Sequence, residues 1–259
     1  MELTREAFLA AWDTAAPLLQ EDAVLHYLTQ EWGMTLPGIR ATLEKHLVTV
    51  TTVEALFARL NHVPEMGIIP YAALLVLRPL VDPSSQPATA IAGDMTIAVD
   101  TARVIFGNAT ISGSVHNAGS LIVFGDLTTE GIYSDAAWSY SLLAVSGSVR
   151  ARGIVSYGDM LIQHDILTSE VVHGWYNDYS LVVGGTLRTR VLLEEYHHTH
   201  YTALEAQDTA HIYRDIPHLR ELFIDDLFTK AEWNGEIEVE LDTDLLFDRL
   251  LQGQQVYRS

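Results

Sequence analysis

The 259 residues include no cysteine, which excludes disulfides, thiol nucleophiles, zinc–thiolate sites and iron–sulfur clusters. Lysine is almost missing too: only Lys45 and Lys230 accompany the arginines. Against 15 basic residues stand 34 acidic ones, for a net charge of −19. Binding a phosphate backbone needs lysine and arginine, so nucleic acid is not an expected partner, whereas a basic protein is. Long apolar runs are missing as well. The most apolar stretch, residues 71–80, is about half the length of a membrane span and is broken by Arg78 and Pro79. The opening Met1-Glu-Leu-Thr-Arg-Glu6 has neither a basic n-region nor an apolar h-region. The expectation is a soluble cytoplasmic protein with no membrane partner. Asn-Gly and Asp-Gly hairpin turns are absent from residues 89–200, which argues against an antiparallel sandwich or barrel.

What is present divides the chain into four parts. Residues 1–80 read as a helical region. Thr4 suits an N-cap with Leu3 and Phe8 as a hydrophobic staple, and Thr51 and Glu54 fit a capping box. Pro37 and Pro70 suit first turns of helices. Residues 81–88, with two prolines and two serines, read as a linker. From residue 89 to 200, glycines multiply and short apolar runs recur. Gly125, Gly147, His164 and Gly185 fall at one register, and Gly93 and Gly107 extend the series at spacings of 14 to 22 residues. Two residues after each register position stands an apolar residue, Leu127, Val149, Ile166 or Leu187, and two further on a small one, Thr129, Ala151, Thr168 or Thr189. A repeat near 18 residues, varying only at its joins, is the signature of a β-solenoid. One such turn cannot bury its own apolar face; stacking turns roughly 4.8 Å apart closes the ladders and builds the core. Residues 201–259 form an acidic C-terminal part. A helix is expected from Pro217 to about Lys230, then a strand at 236–241 with Glu236, Glu238 and Glu240 outward, then a last helix ended by Gly253. The predicted fold class is α+β, a right-handed parallel β-helix flanked by an N-terminal helical cap and a C-terminal helix/strand cap.

The pattern of apolar run, Gly125-Asp-Leu127, three small or charged residues and Gly131-Ile132 resembles the bacterial bactofilin-like, polymer-forming cytoskeletal β-helices. The resemblance covers residues 90–200 and implies a right-handed solenoid that self-assembles end to end. About 80 residues before the solenoid and 55 after it depart from that pattern, and capped ends would block stacking.

Three groups of residues invite a chemical reading. The first is aromatic: Tyr133, Trp138, Tyr157, Trp175, Tyr176 and Tyr179 lie in or beside the joins, interleaved with Asp135, Asp159 and Asp178. Tyrosine and tryptophan beside carboxylates suit a protein hot spot or a sugar-stacking surface. The second is the acidic row Glu236, Glu238 and Glu240, in the part with the densest negative charge: residues 1–80, 81–200 and 201–259 carry net −4, −7 and −8. The third is Tyr196-His-His-Thr-His-Tyr201, where His198 and His200 share one side of a strand and could ligate a metal. Among paired carboxylates, Asp159 and Asp178 stand about one turn apart as candidates for glycoside hydrolysis. Nucleophile and phosphate-loop motifs are missing, and no cofactor is expected. The leading expectation is a non-catalytic acidic scaffold binding a basic protein, of the kind bacterial immunity proteins represent. The alternatives are a self-assembling structural protein, hence a homo-oligomer, and a carbohydrate- or metal-binding β-helix.

Overall fold

The computed structural model describes residues 1–61, 67–136, 140–175, 179–233 and 236–258, with the backbone alone over 231–233 and 236–238. Its centre is a parallel β-solenoid of about six turns, flanked by helical regions from both ends of the chain.

Each turn contributes a strand to three parallel ladders. The first stacks Thr89–Ile91, Ala109–Ile111, Leu127–Thr129, Val149–Ala151 and Ile166–Thr168. The second stacks Met95–Ile97, Val115–Asn117, Ile132–Asp135, Gly153–Ser156 and Val171–Trp175. The third stacks Ala102–Ile105, Ser120–Val123, Leu142–Val145 and Asp159–Ile162. Two long strands, Ser180–Glu195 and His198–His211, bend through all three ladders and complete the stack. The predicted apolar column is in register: Leu127 pairs Val149, Val149 pairs Ile166, and Ile166 pairs Leu187. The small column is buried beside it, and Thr168 Oγ1 donates to Thr189 Oγ1 at 2.8 Å.

The glycine register has a steric cause. At one corner of each turn an Asx or serine side chain reaches to the next turn and accepts a backbone N–H that the ladders leave free. Asn108 accepts from Asp126, Asp126 from Ser148, Ser148 from Asp165 and Asp165 from Thr186, at 2.7–3.3 Å. A Cβ on Gly147 would sit 2.3 Å from Asp126 Oδ1, and one on Gly125 2.3 Å from Asn108 Oδ1. His164 holds the register instead of glycine at the one turn whose lower neighbour is the shorter Ser148.

The flanking regions cover two of the ladders from outside. In the third ladder, Leu121, Val123, Leu143, Val145, Met160 and Ile162 point into the solenoid. The alternate residues Ile122, Ala144 and Leu161 point out into the helical layer. That layer consists of α1 (Arg5–Glu21), α2 (Ala23–Glu31), α3 (Leu36–His46), α4 (Val53–Leu60) and α5 (Ile68–Val81). It runs along the solenoid: α4 meets the first strand of the ladder, α5 a middle one and α2 the long strand Ser180–Glu195. Two-sided burial is why these strands read as unbroken apolar runs. On the second ladder, outward Ile132, Val155, Val171 and Leu193 pack against the C-terminal segment. That segment holds α6 (Ile216–Leu222), the antiparallel pair Phe228–Trp233 and Glu236–Leu241, and α7 (Thr243–Leu251).

Several local expectations shift. Thr52, not Thr51, caps α4: its Oγ1 accepts the Ala55 N–H at 3.1 Å, while Glu54 pairs with the N-terminal ammonium at 2.9 Å. The helix expected from Pro217 to Lys230 stops at Leu222. Ile224 and the strand Phe228–Trp233 then take extended paths, because Phe228 pairs with Leu241 in the hairpin. Thr4 and Gly253 act as expected: Thr4 accepts the Ala7 N–H, and Gly253 takes a φ of 68° after α7, whose N-cap is Asp242, accepting the Leu245 N–H.

Candidate binding site

The C-terminal segment folds back so that its hairpin and the start of α7 face the end of the second ladder. Between them lies a cavity of about 270 Å³. Trp175 lines it from the solenoid and Glu240 from the hairpin, joined by Glu195, Tyr213, Asp242 and Asp244. Thus one aromatic and one acidic residue that the sequence placed in separate groups meet in one site.

The walls are held by hydrogen bonds. Glu195 is 3% exposed. Its Oε1 accepts from the Tyr213 hydroxyl, and its Oε2 lies 3.3 Å from Nε2 of buried His173. Asp242 Oδ1 is committed to the Leu245 N–H at the start of α7, at 2.9 Å. Among the described residues Glu240 and Asp244 have no cationic partner. The tyrosines register this field. Burial raises the Tyr213 hydroxyl, and Glu195 and Glu240 raise it further. Burial and then Asp244 push Tyr157 up to about 12. Tyr157 meets Trp175 edge to face with ring centroids 5.0 Å apart. Chemically, this is a concave anionic site with aromatic walls, suited to holding a cation.

The other sequence candidates scatter. Tyr133 is corrected outright: it alternates inward from Ile132, is fully buried in the solenoid core, and its oxygen accepts from Asn117 Nδ2 at 3.0 Å. Tyr179 packs near Tyr140, 6.1 Å between centroids, on the side of the helical layer, where the Tyr140 oxygen accepts the Gly67 N–H. Trp138, Tyr176 and Asp178 lie outside the described residues, as do the side chains of Glu236 and Glu238, whose backbones pair with Trp233 and Ala231. His200 is stacked on Tyr27 of α2 at 4.1 Å and 12°, while His198 is exposed. Among the described residues no group of three or more His, Asp or Glu could hold a metal ion. Asp159, the proposed half of a hydrolytic pair, is 2% exposed beneath Gly67 at the start of α5.

Sequence reasoning missed Tyr213 and Asp244, and counted Glu195 among the carboxylates interleaved with the aromatic joins, not as a partner of Trp175. Glu195 was within reach, because continuing the repeat one more turn sets it opposite Trp175. Tyr213 and Asp244 carry no local signal; their place depends on how the C-terminal segment folds back.

Fold and site together define an acidic β-solenoid with an anionic, aromatic-walled cavity on one flank. No protein-family model, curated protein or solved structure matches the chain. Among the described residues no helix is long and apolar enough to cross a membrane.

Proposed function

We propose that the protein is a non-catalytic acidic scaffold that binds a basic protein on the flank where the C-terminal segment meets the solenoid. The convergence of Trp175, Glu195, Glu240 and Asp244 on one cavity carries this reading. A net charge of −19 would steer a cationic partner and speed its association. An immunity-type inhibitor of a basic toxin is one such scaffold. In a pull-down with the products of neighbouring genes, the wild type should retain a basic protein with an association rate that falls steeply with salt. Glu240→Gln with Asp244→Asn should weaken that complex about tenfold or more. An acidic partner, or one held equally by the double variant, would sink the reading.

A second reading, a bactofilin-like self-assembling structural protein, draws on a different observation. Among the described residues the terminal strands Thr89–Ile91, Met95–Ile97 and Ala102–Ile105 each pair on one side only, as does His198–His211 at the far end. Half-buried Ile91 at one end, and Tyr201 and Leu204 at the other, finish the core. Such edges template further pairing. Light scattering and negative-stain microscopy at high concentration should then show end-to-end oligomers; monomers throughout would remove this reading.

A further inference from the structure

The acidic cavity has a neighbour. Thr243 and Asp244, the first residues of α7, line it and also line a second cavity of about 400 Å³. The second cavity is walled by Tyr157, Val155, Ile132, Phe247 and Leu251. Leu251 is 43% exposed at its rim. On the solenoid side the boundary between the two is the Tyr157–Trp175 contact, since Tyr157 lines one cavity and Trp175 the other. The two adjoin at the first turn of α7 as two lobes beside the second ladder, one lined by carboxylates and one by these apolar side chains together with His116, Ser134, Asp244 and Asp248.

Their chemistries select a single kind of occupant. A small cation would have no use for the apolar lobe, and an apolar ligand none for the carboxylates. An extended peptide fits both, because its side chains leave the backbone at short, regular intervals. Resting on the acidic-scaffold reading, we propose that this groove docks an extended segment of the partner, with an arginine among Glu195, Glu240 and Asp244 and a nearby leucine-sized side chain on Tyr157, Phe247 and Leu251. Arginine suits the first lobe better than lysine, because its planar guanidinium can stack on Trp175 or Tyr213 while its N–H groups face carboxylates. Among the described residues the charge complementarity is unopposed at the groove: apart from His116, its lining includes no basic residue, and Asp248 adds a further carboxylate.

The test is amide chemical-shift mapping on the full chain with short blocked peptides of glycine and serine that carry one arginine and one leucine, two or three residues apart. Both lobes should respond, at Trp175, Tyr213 and Glu240 and at Tyr157 and Phe247. Replacing the leucine by serine should weaken binding about fivefold, and replacing the arginine by glutamine about tenfold. Leu251→Ser, at an exposed position, should weaken only the leucine-bearing peptide. If that peptide binds no better than the arginine-only one, the groove is refuted while the acidic-scaffold reading stands. If shifts fall on another face, or no peptide binds at millimolar concentration while a basic protein is still captured, the groove is likewise refuted. Capture of no basic protein and binding of no peptide would refute both.

Discussion

Raising the pH from 4 to 8 should cost the folded protein several kcal/mol, and replacing Asp159 by asparagine should remove a large share of that loss. Asp159 is buried at the corner where Ser180–Glu195 begins. Its Oδ1 accepts the Ser180 N–H at 3.0 Å, and its Oδ2 has no hydrogen-bond partner. Burial pushes the carboxyl from its ordinary 3.8 up to about 7. Asp135, one turn away, accepts from the Tyr157 and Gly158 N–H groups and the Ser156 hydroxyl. Burial still lifts it to about 7, and the Asp159 charge adds to the shift. Both folded values lie above the unfolded ones, so the folded state holds protons that the unfolded state releases. The stabilisation is full below about pH 4, falls as the pH rises through about 7, and is gone above that. Three units at one site amount to roughly 4 kcal/mol. Self-repulsion among the excess carboxylates adds a shallower slope of the same sign, and the variant keeps it. Urea unfolding at pH 5 and pH 8 checks this. Asp159→Asn should be more stable than the wild type at pH 8 by a few kcal/mol and close to it at pH 5. An unchanged pH dependence in the variant would show that Asp159 is already ionised without cost in the fold.

The solenoid was legible because its repeat is enforced turn by turn. An inward position such as Val149 is flanked by Leu127 below and Ile166 above, so the same demand for an apolar side chain recurs in the sequence. The helical layer was legible in its elements, since caps such as Thr4 act within a few residues. Its seating was not. Nothing local in the run Leu121-Ile-Val-Phe124 says that Ile122 and Phe124 face helices while Leu121 and Val123 face the core, although an apolar residue at every position hints at burial on both sides. The site was legible only in part for a related reason. Trp175 and Glu240 stand out by composition, but they meet through a chain reversal set by the packing of Leu219, Phe223 and Leu246 on the second ladder. Tyr133 misled because an aromatic residue near a join looks like surface; strand alternation, applied strictly from Ile132, turns it inward.

Gly147→Ala should destabilise the protein by about 3 kcal/mol, whereas His164→Ala, at the same register one turn later, should be nearly silent. The new methyl group would lie 2.3 Å from Asp126 Oδ1 and 2.7 Å from the Gly125 carbonyl oxygen. Neither atom is free to retreat. Asp126 Oδ1 holds the Ser148 N–H at 2.8 Å, and the Gly125 carbonyl belongs to the turn below. Relief therefore requires that the corner bond open or the stacking distance widen. Overpacking of this kind costs about 1–3 kcal/mol, and loss of the bond leaves a backbone donor unsatisfied at about 1 kcal/mol more. At His164 the side chain already has its Cβ and is exposed, so truncation there falls within about 0.5 kcal/mol. Because each turn touches only its neighbours, the damage stays local, and shortening the clashing side chain should undo part of it. Asp126→Ser combined with Gly147→Ala reproduces the Ser148–His164 arrangement one turn lower. It should recover about 1 kcal/mol, the contact with the Gly125 carbonyl remaining. Denaturant unfolding of the four proteins decides the matter: if Gly147→Ala is as stable as His164→Ala, the corner side chains do not dictate the glycine register.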